Sequence, residues 1–126
     1  MFKRKQSSKD EGDAAESRAL AHLERHGLSL VQRNYRIARG PTGRGGEIDL
    51  IVRDRDGTLV FVEVRRRRSA RFGGAAASVD GLKRHRLMFA AQHFLRRFAA
   101  PPPCRFDVVA IDGDELLWLR AAFDAA

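Results

Sequence analysis

Gly46-Glu47-Ile48-Asp49-Leu50-Ile51-Val52-Arg53-Asp54-Arg55-Asp56-Gly57-Thr58-Leu59-Val60-Phe61-Val62-Glu63-Val64-Arg65 is the stretch that decides how this chain is read. Two runs rich in β-branched and aliphatic residues, Ile48 to Val52 and Leu59 to Val64, flank the turn-forming pair Asp56-Gly57. That pattern predicts an antiparallel hairpin. Two registers are open to it. With a two-residue turn at Asp56 and Gly57, Asp49 faces Val64, Glu63 faces Leu50, and both faces mix charge with apolar side chains. With a three-residue loop from Arg55 to Gly57, the glycine left-handed at a bulge, Asp49 stands opposite Glu63 and Glu47 opposite Arg65. The second register gathers Ile48, Leu50, Val52, Val60, Val62 and Val64 on one face. A one-residue slip would exchange the faces, so burial of this aliphatic surface selects the three-residue loop.

Directly opposed cross-strand residues have Cβ atoms about 5 Å apart. Two carboxylates that close repel each other and are costly to desolvate, so the pair calls for a shared cation or nearby arginines. Oxygen-only donors completed by water suit Mg²⁺ or Mn²⁺ rather than zinc. Spacing alone is equally compatible with a half-exposed hairpin whose outer face carries charge. Against that, Asp is depleted in strand centres.

At 126 residues, 44% of them hydrophobic, the chain is the size of one compact domain with one core. Its net charge of +8 and pI near 10.9 favour an anionic partner. The positive charge is mostly arginine, whose planar fork matches phosphate oxygens, so nucleic acid leads. DNA is the expected partner, with RNA the alternative. A membrane partner is not expected, because no apolar run approaches a spanning helix and the N-terminus lacks a signal peptide's apolar core. A cytoplasmic location follows as an expectation. The single cysteine, Cys104, forms no internal disulfide and reads as a small packing residue at a strand start.

Outward from the hairpin, residues 1–10 read as a disordered basic tail ahead of one domain over 11–126. Ala15, Ala19 and Leu23 predict an amphipathic helix from about Glu11 to His26, ended by Gly27, with Glu16 near its apolar edge. His22 and His26 are four apart but lack a third ligand, so they read as a solvated helix face. Leu28 to Ile37 predicts a first strand. The glycine-rich segment from Ala38 to Gly46 fits neither a Walker A loop nor a dinucleotide fingerprint, and no helix follows it, which excludes a nucleotide site. Its Arg39 and Arg44 remain candidates for nucleic-acid backbone contacts.

Past the hairpin, Arg65 to Arg68 and Arg71 form the densest positive stretch, leaving the strand that carries Glu63. Ser78 or Asp80 caps a second helix reaching about Ala100. Leu87, Ala90, Ala91, Phe94, Leu95 and Phe98 are its apolar stripe, Lys83, Arg84 and Arg86 crowd its start, and Pro101 to Pro103 stop it. Arg105 to Ile111 and Leu116 to Leu119 predict a second hairpin across Asp112-Gly113-Asp114, with Trp118 packed.

The order helix, three strands, helix, strand resembles the restriction-endonuclease-like fold, an α/β class with a mixed central sheet, here followed by a C-terminal hairpin. The PD-(D/E)XK signature of that superfamily sets an acid on one strand and acid-x-lysine on the next. Asp49 and Glu63-Val64-Arg65 stand in those places. More narrowly, Glu16, Ala19, Leu23, Gly27, Asn34-Tyr35-Arg36, Gly46 to Ile51, Phe61 to Arg65, Arg67, Phe72-Gly73, Lys83, Ala90-Ala91 and Arg105 to Val108 resemble the YraN family of small bacterial proteins. The chain departs from the pattern in Ala15 before Glu16, in a longer glycine-rich loop, and above all in Arg65 at the lysine position.

The resemblance implies a Mg²⁺- or Mn²⁺-dependent endonuclease that hydrolyses DNA phosphodiester bonds. Asp49 and Glu63 would ligate the metal with the Val64 carbonyl, and Glu16 would act through water or a second metal. Arg65 would stabilise charge on phosphorus, and Glu47 would hold Arg65 or approach the metal. Arg66, Arg67, Arg68, Arg71 and Lys83 would contact phosphates. Similarity to archaeal Holliday-junction resolvases implies branched DNA and a homodimer. Arginine keeps the charge of the signature lysine but cannot serve as a base. The alternative is therefore a non-catalytic nucleic-acid-binding module of the same fold.

Overall fold

The computed structural model describes residues 8–41, 43–66 and 79–123. In chain order the elements are α1 (Ser8–Arg25), β1 (Ser29–Ile37), β2 (Gly46–Arg53), β3 (Leu59–Arg66), α2 (Gly81–Leu95), β4 (Cys104–Asp112) and β5 (Glu115–Phe123). The five strands form one sheet in sequence order. Only β3 and β4 are parallel, joined by the crossover that contains α2, so the sheet is mixed and ends in the β4–β5 hairpin. This is the predicted arrangement. No helix among the described residues is long and apolar enough to cross a membrane.

Several boundaries differ from the sequence reading. α1 starts at Ser8, so residues 8–10 are helical rather than part of a tail. α2 stops at Leu95, where Arg96 caps it, and Phe98 still packs on the core from beyond the helix end. His22 and His26 are not simply solvated: their rings meet Trp118 edge-on at 5.8 and 5.5 Å. Cys104 does begin a strand, but it is exposed.

Each helix covers one face of the sheet. Ala15, Ala19 and Leu23 of α1 pack on Leu50, Val52, Val60 and Val62. Leu87, Ala90, Ala91 and Phe94 of α2 pack on Ile51, Leu59, Phe61 and Phe106. Because α2 buries the second face, the hairpin is not half-exposed.

The β2–β3 turn has the three-residue loop that burial selects. Leu50 pairs with Val62 and Arg53 with Leu59. The Gly57 N–H donates to the Asp54 carbonyl at 3.0 Å, the Asp54 N–H donates to the Thr58 carbonyl at 2.9 Å, and Gly57 has φ +90°. Glycine alone takes that conformation without steric cost.

One part of the expected face breaks. The β2–β3 ladder ends at Leu50 and Val62, and Ile48 packs in the α2-side core beside Tyr35 rather than with Leu50. β1 explains the switch. Arg33 pairs with Leu50 and Tyr35 with Ile48, and between them Asn34 is left-handed at φ 51°, so the strands change face at Asn34 and Asp49. The irregularity frees Asp49 from the ladder exactly where β2 and β3 part.

Gly46 fixes how closely α2 approaches. A Cβ there would lie 2.2 Å from the Arg86 carbonyl oxygen, so helix backbone rests directly on strand backbone. Gly46→Ala is expected to lower stability by about 1–3 kcal/mol, the usual cost of overpacking. Urea denaturation measures it, and a midpoint unchanged from the native protein would show that α2 shifts freely.

Candidate functional site

Where β2 and β3 part, a pocket of about 980 Å³ opens between the N-terminal half of α1 and the start of α2. Glu16, Asp49, Glu63, Val64, Arg65, Arg66 and Lys83 all line it. Its other wall is the β4–β5 turn, held to α1 by the Arg18 guanidinium, which donates to the Gly113 and Asp114 carbonyls.

Asp49 and Glu63 form the floor. Asp49 Oδ2 accepts the Val64 N–H at 2.8 Å, a donor released by the end of the ladder. Glu63 is buried, and its Oε2 has no hydrogen-bond partner. Its Oε1 faces two cations, Lys83 Nζ at 3.2 Å and Arg65 Nη1 at 3.7 Å. Burial and the neighbouring Asp49 charge push the Glu63 carboxyl up to about 8. Burial also raises Asp49, against the hydrogen bond from Val64. The pair therefore retains a proton near neutral pH, and the Val64 donor favours placing it on Glu63.

Glu16 and Glu47 flank this pair differently. Glu16 Oε1 is buried without a hydrogen-bond partner and lies 3.6 Å from Arg33; burial and the Asp49 charge raise its carboxyl. Glu47 forms ion pairs with Lys83 at 3.5 Å, Arg36 at 3.7 Å and Arg86 at 3.8 Å. Lys83 thus bridges Glu47 and Glu63. Arg66 reaches Glu11 at 2.9 Å, while Arg67, Arg68 and Arg71 lie outside the described residues.

Sequence reasoning placed Lys83 among phosphate contacts and missed its position against the acids. The signal was present: Lys83, Leu87, Ala90 and Phe94 recur at helical spacing, so Lys83 extends the buried stripe of α2 to the sheet's end. Asp80 fixes that end, accepting the Lys83 N–H at 2.9 Å.

The donor set fits a hard divalent ion. Glu63 and Glu16, each with a buried oxygen that has no hydrogen-bond partner, line a roomy polar pocket together with Asp49, and an ion such as Mg²⁺ is commonly held by one or two carboxylates with water completing the shell. Among the described residues no group of three or more His, Cys, Asp or Glu gathers as a cage.

The titration has a thermodynamic sign. A carboxyl whose folded-state value is raised binds its proton more tightly folded than unfolded, so stability falls as pH rises through the folded value. Glu63 sets that window between the ordinary glutamate range and about 8. Glu16 and Asp49 act in the same direction. His22, lowered by burial, acts oppositely below the ordinary imidazole value. Without metal, the melting temperature is expected to fall by about 5 °C between pH 7 and 8.5, and Glu63→Gln should flatten the slope. A native profile that rises over this range would refute the buried proton.

The profile of the uncharacterised protein family UPF0102 matches residues 15–111. A UPF0102 protein of Methylibium petroleiphilum is 65% identical over 120 residues, covering 95% of this chain and 98% of its own. One from Acidovorax sp. (strain JS42) is 63% identical over 115 residues, covering 91% and 85%. The crystal structure of SSO0001 aligns at 21% identity with a TM-score of 0.44, over 94% of this chain and 54% of that one, so this chain spans about half its length.

Proposed function

The chain belongs to the uncharacterised protein family UPF0102, and we propose that it is a metal-dependent nuclease that hydrolyses DNA phosphodiester bonds in the cytoplasm, branched junctions being the first substrate to try. One observation carries this reading: half-buried Asp49 beside buried Glu63, one of whose oxygens has no hydrogen-bond partner, at the floor of an open pocket rimmed by Lys83, Arg65 and Arg66. Asp49, Glu63 and the Val64 main chain would hold Mg²⁺ or Mn²⁺. Such an ion supplies Lewis-acid polarisation of the phosphate and activation of water. Glu16, which feels the Asp49 charge, would orient water or help hold a second ion. Lys83 and Arg65 both touch Glu63 Oε1, so a phosphate seated over the acids meets two positive groups where charge develops. Lys83 adds to Arg65 a second positive group on the same Glu63 oxygen. Glu47 holds Lys83 and Arg86 in place rather than taking part directly.

The second reading, a nucleic-acid-binding module without cleavage, has its own observation. Lys83 Nζ already sits at 3.2 Å from Glu63 and partly neutralises the site without metal. The deciding experiment is cleavage of labelled linear, single-stranded and four-way-junction DNA with Mn²⁺ or Mg²⁺ and an EDTA control. Cutting that requires metal and falls roughly a hundredfold in Lys83→Met supports the nuclease. Salt-sensitive binding with no cutting of any substrate selects the module.

A further inference from the structure

α2 carries a second face that the core does not use. Leu82, His85, Arg86 and Phe89 fall at helical spacing on the side away from Leu87 and Ala91, and with Arg39 and Arg44 of the β1–β2 loop they line a groove of about 460 Å³. Its described lining contains no acidic residue. Leu82 is 71% exposed, far above the other exposed large apolar side chains among the described residues. The groove begins where the acid pocket ends, because Arg86 pairs with Glu47, Glu47 with Lys83, and Lys83 with Glu63.

We propose that this groove holds an unpaired nucleotide of the strand that continues past the scissile phosphate, with its phosphate on Arg39 and Arg44 and its base against Leu82 and Phe89. The inference rests on the nucleic-acid reading above and adds the strandedness of the substrate. Charge complementarity points to a polyanion, since Arg39 and Arg44 line the groove with no acidic residue in its described lining, beside Arg86, which also pairs with Glu47. The apolar half narrows the class. A duplex keeps its base faces stacked and offers only phosphates and groove edges, whereas an unpaired base exposes a face that apolar and aromatic side chains cover. A phosphate-only site gains nothing from an exposed leucine beside a half-buried phenylalanine.

The test is fluorescence anisotropy with the full chain in EDTA, using a labelled oligothymidine of about 15 nucleotides and a blunt duplex. Leu82→Ala, Phe89→Ala and Arg39→Gln/Arg44→Gln are compared with the native protein, and circular dichroism checks folding; Leu82, exposed, is the variant least able to disturb it. The expected result is roughly tenfold weaker single-strand binding in each apolar variant, with duplex binding within about twofold of native. The double arginine variant should weaken single-strand binding and flatten its salt dependence. Native-like single-strand binding by folded Leu82→Ala and Phe89→Ala overturns the groove assignment while leaving the nuclease reading standing. Equal losses for single strand and duplex overturn the unpaired-base assignment. A native protein that binds neither nucleic acid overturns both readings together.

Discussion

Asp49→Ala is expected to abolish divalent-metal binding and DNA cleavage together, while the fold is retained. The Val64 N–H at 2.8 Å favours the charged form of Asp49, whereas burial and the Asp49 charge push the Glu63 carboxyl up to about 8. On the proposed reading Asp49 would be the first anchor for a cation, and Glu63 would become a ligand only on releasing its proton. Removing a supporting group around a metal commonly costs 10- to 100-fold in affinity, so loss of an anchoring ligand should weaken Mn²⁺ binding by roughly a hundredfold or more. Titration calorimetry with Mn²⁺ reads this directly. Repeating it across pH adds a check, since native affinity should climb with pH up to about 8 as the Glu63 proton becomes easier to displace. Glu16→Ala should cost less, because Glu16 is already paired with Arg33 at 3.6 Å. Undiminished Mn²⁺ binding by folded Asp49→Ala would remove the acid pair from the metal and with it the nuclease reading.

The hairpin that positions this pair was legible because two constraints acted on the same residues. Alternating aliphatics demanded one buried face, and Asp56-Gly57 demanded a left-handed glycine; only one register meets both. The face switch at Ile48 was not legible. It depends on Asn34, a residue of a different strand whose backbone is left-handed at φ 51°. Lys83 shows the same limit from another side. Its helical phase was readable, but its contact with Glu63 depends on how closely α2 lies on β2, which Gly46 permits through backbone contact with Arg86. The acids thus came from local pattern, and their cations from packing.

Asp107→Ala should be the most damaging single substitution outside the pocket. The Asp107 carboxylate is fully buried and accepts from Arg105 Nε at 3.1 and 3.3 Å, Trp118 Nε1 at 3.0 Å and the Ala121 N–H at 2.9 Å. Arg105 in turn reaches Asp54 at 2.9 Å, tying the β2–β3 turn to β4. The network sits where the β4–β5 register shifts after Phe106 and where Ala121 is left-handed at φ 49°, so it holds an irregular edge that ladder bonds do not. Loss of the carboxylate leaves a partly buried guanidinium, an indole N–H and a strained backbone N–H without their acceptor. Breaking a buried ion pair by removing one partner costs about 3–5 kcal/mol, a large share of the roughly 5–15 kcal/mol that holds a domain folded. Urea denaturation should show a loss of that size, and Arg105 keeps only its ion pair with Asp54 in the variant. A loss below about 1 kcal/mol would mean that water satisfies these donors. Asp107 and Glu63 are both buried acids in the same parallel strand pair, and what separates them is saturation. Asp107 has both oxygens occupied by donors and serves the fold; Glu63 keeps one buried oxygen without a hydrogen-bond partner at the floor of the pocket, which is why the proposed chemistry centres on Glu63.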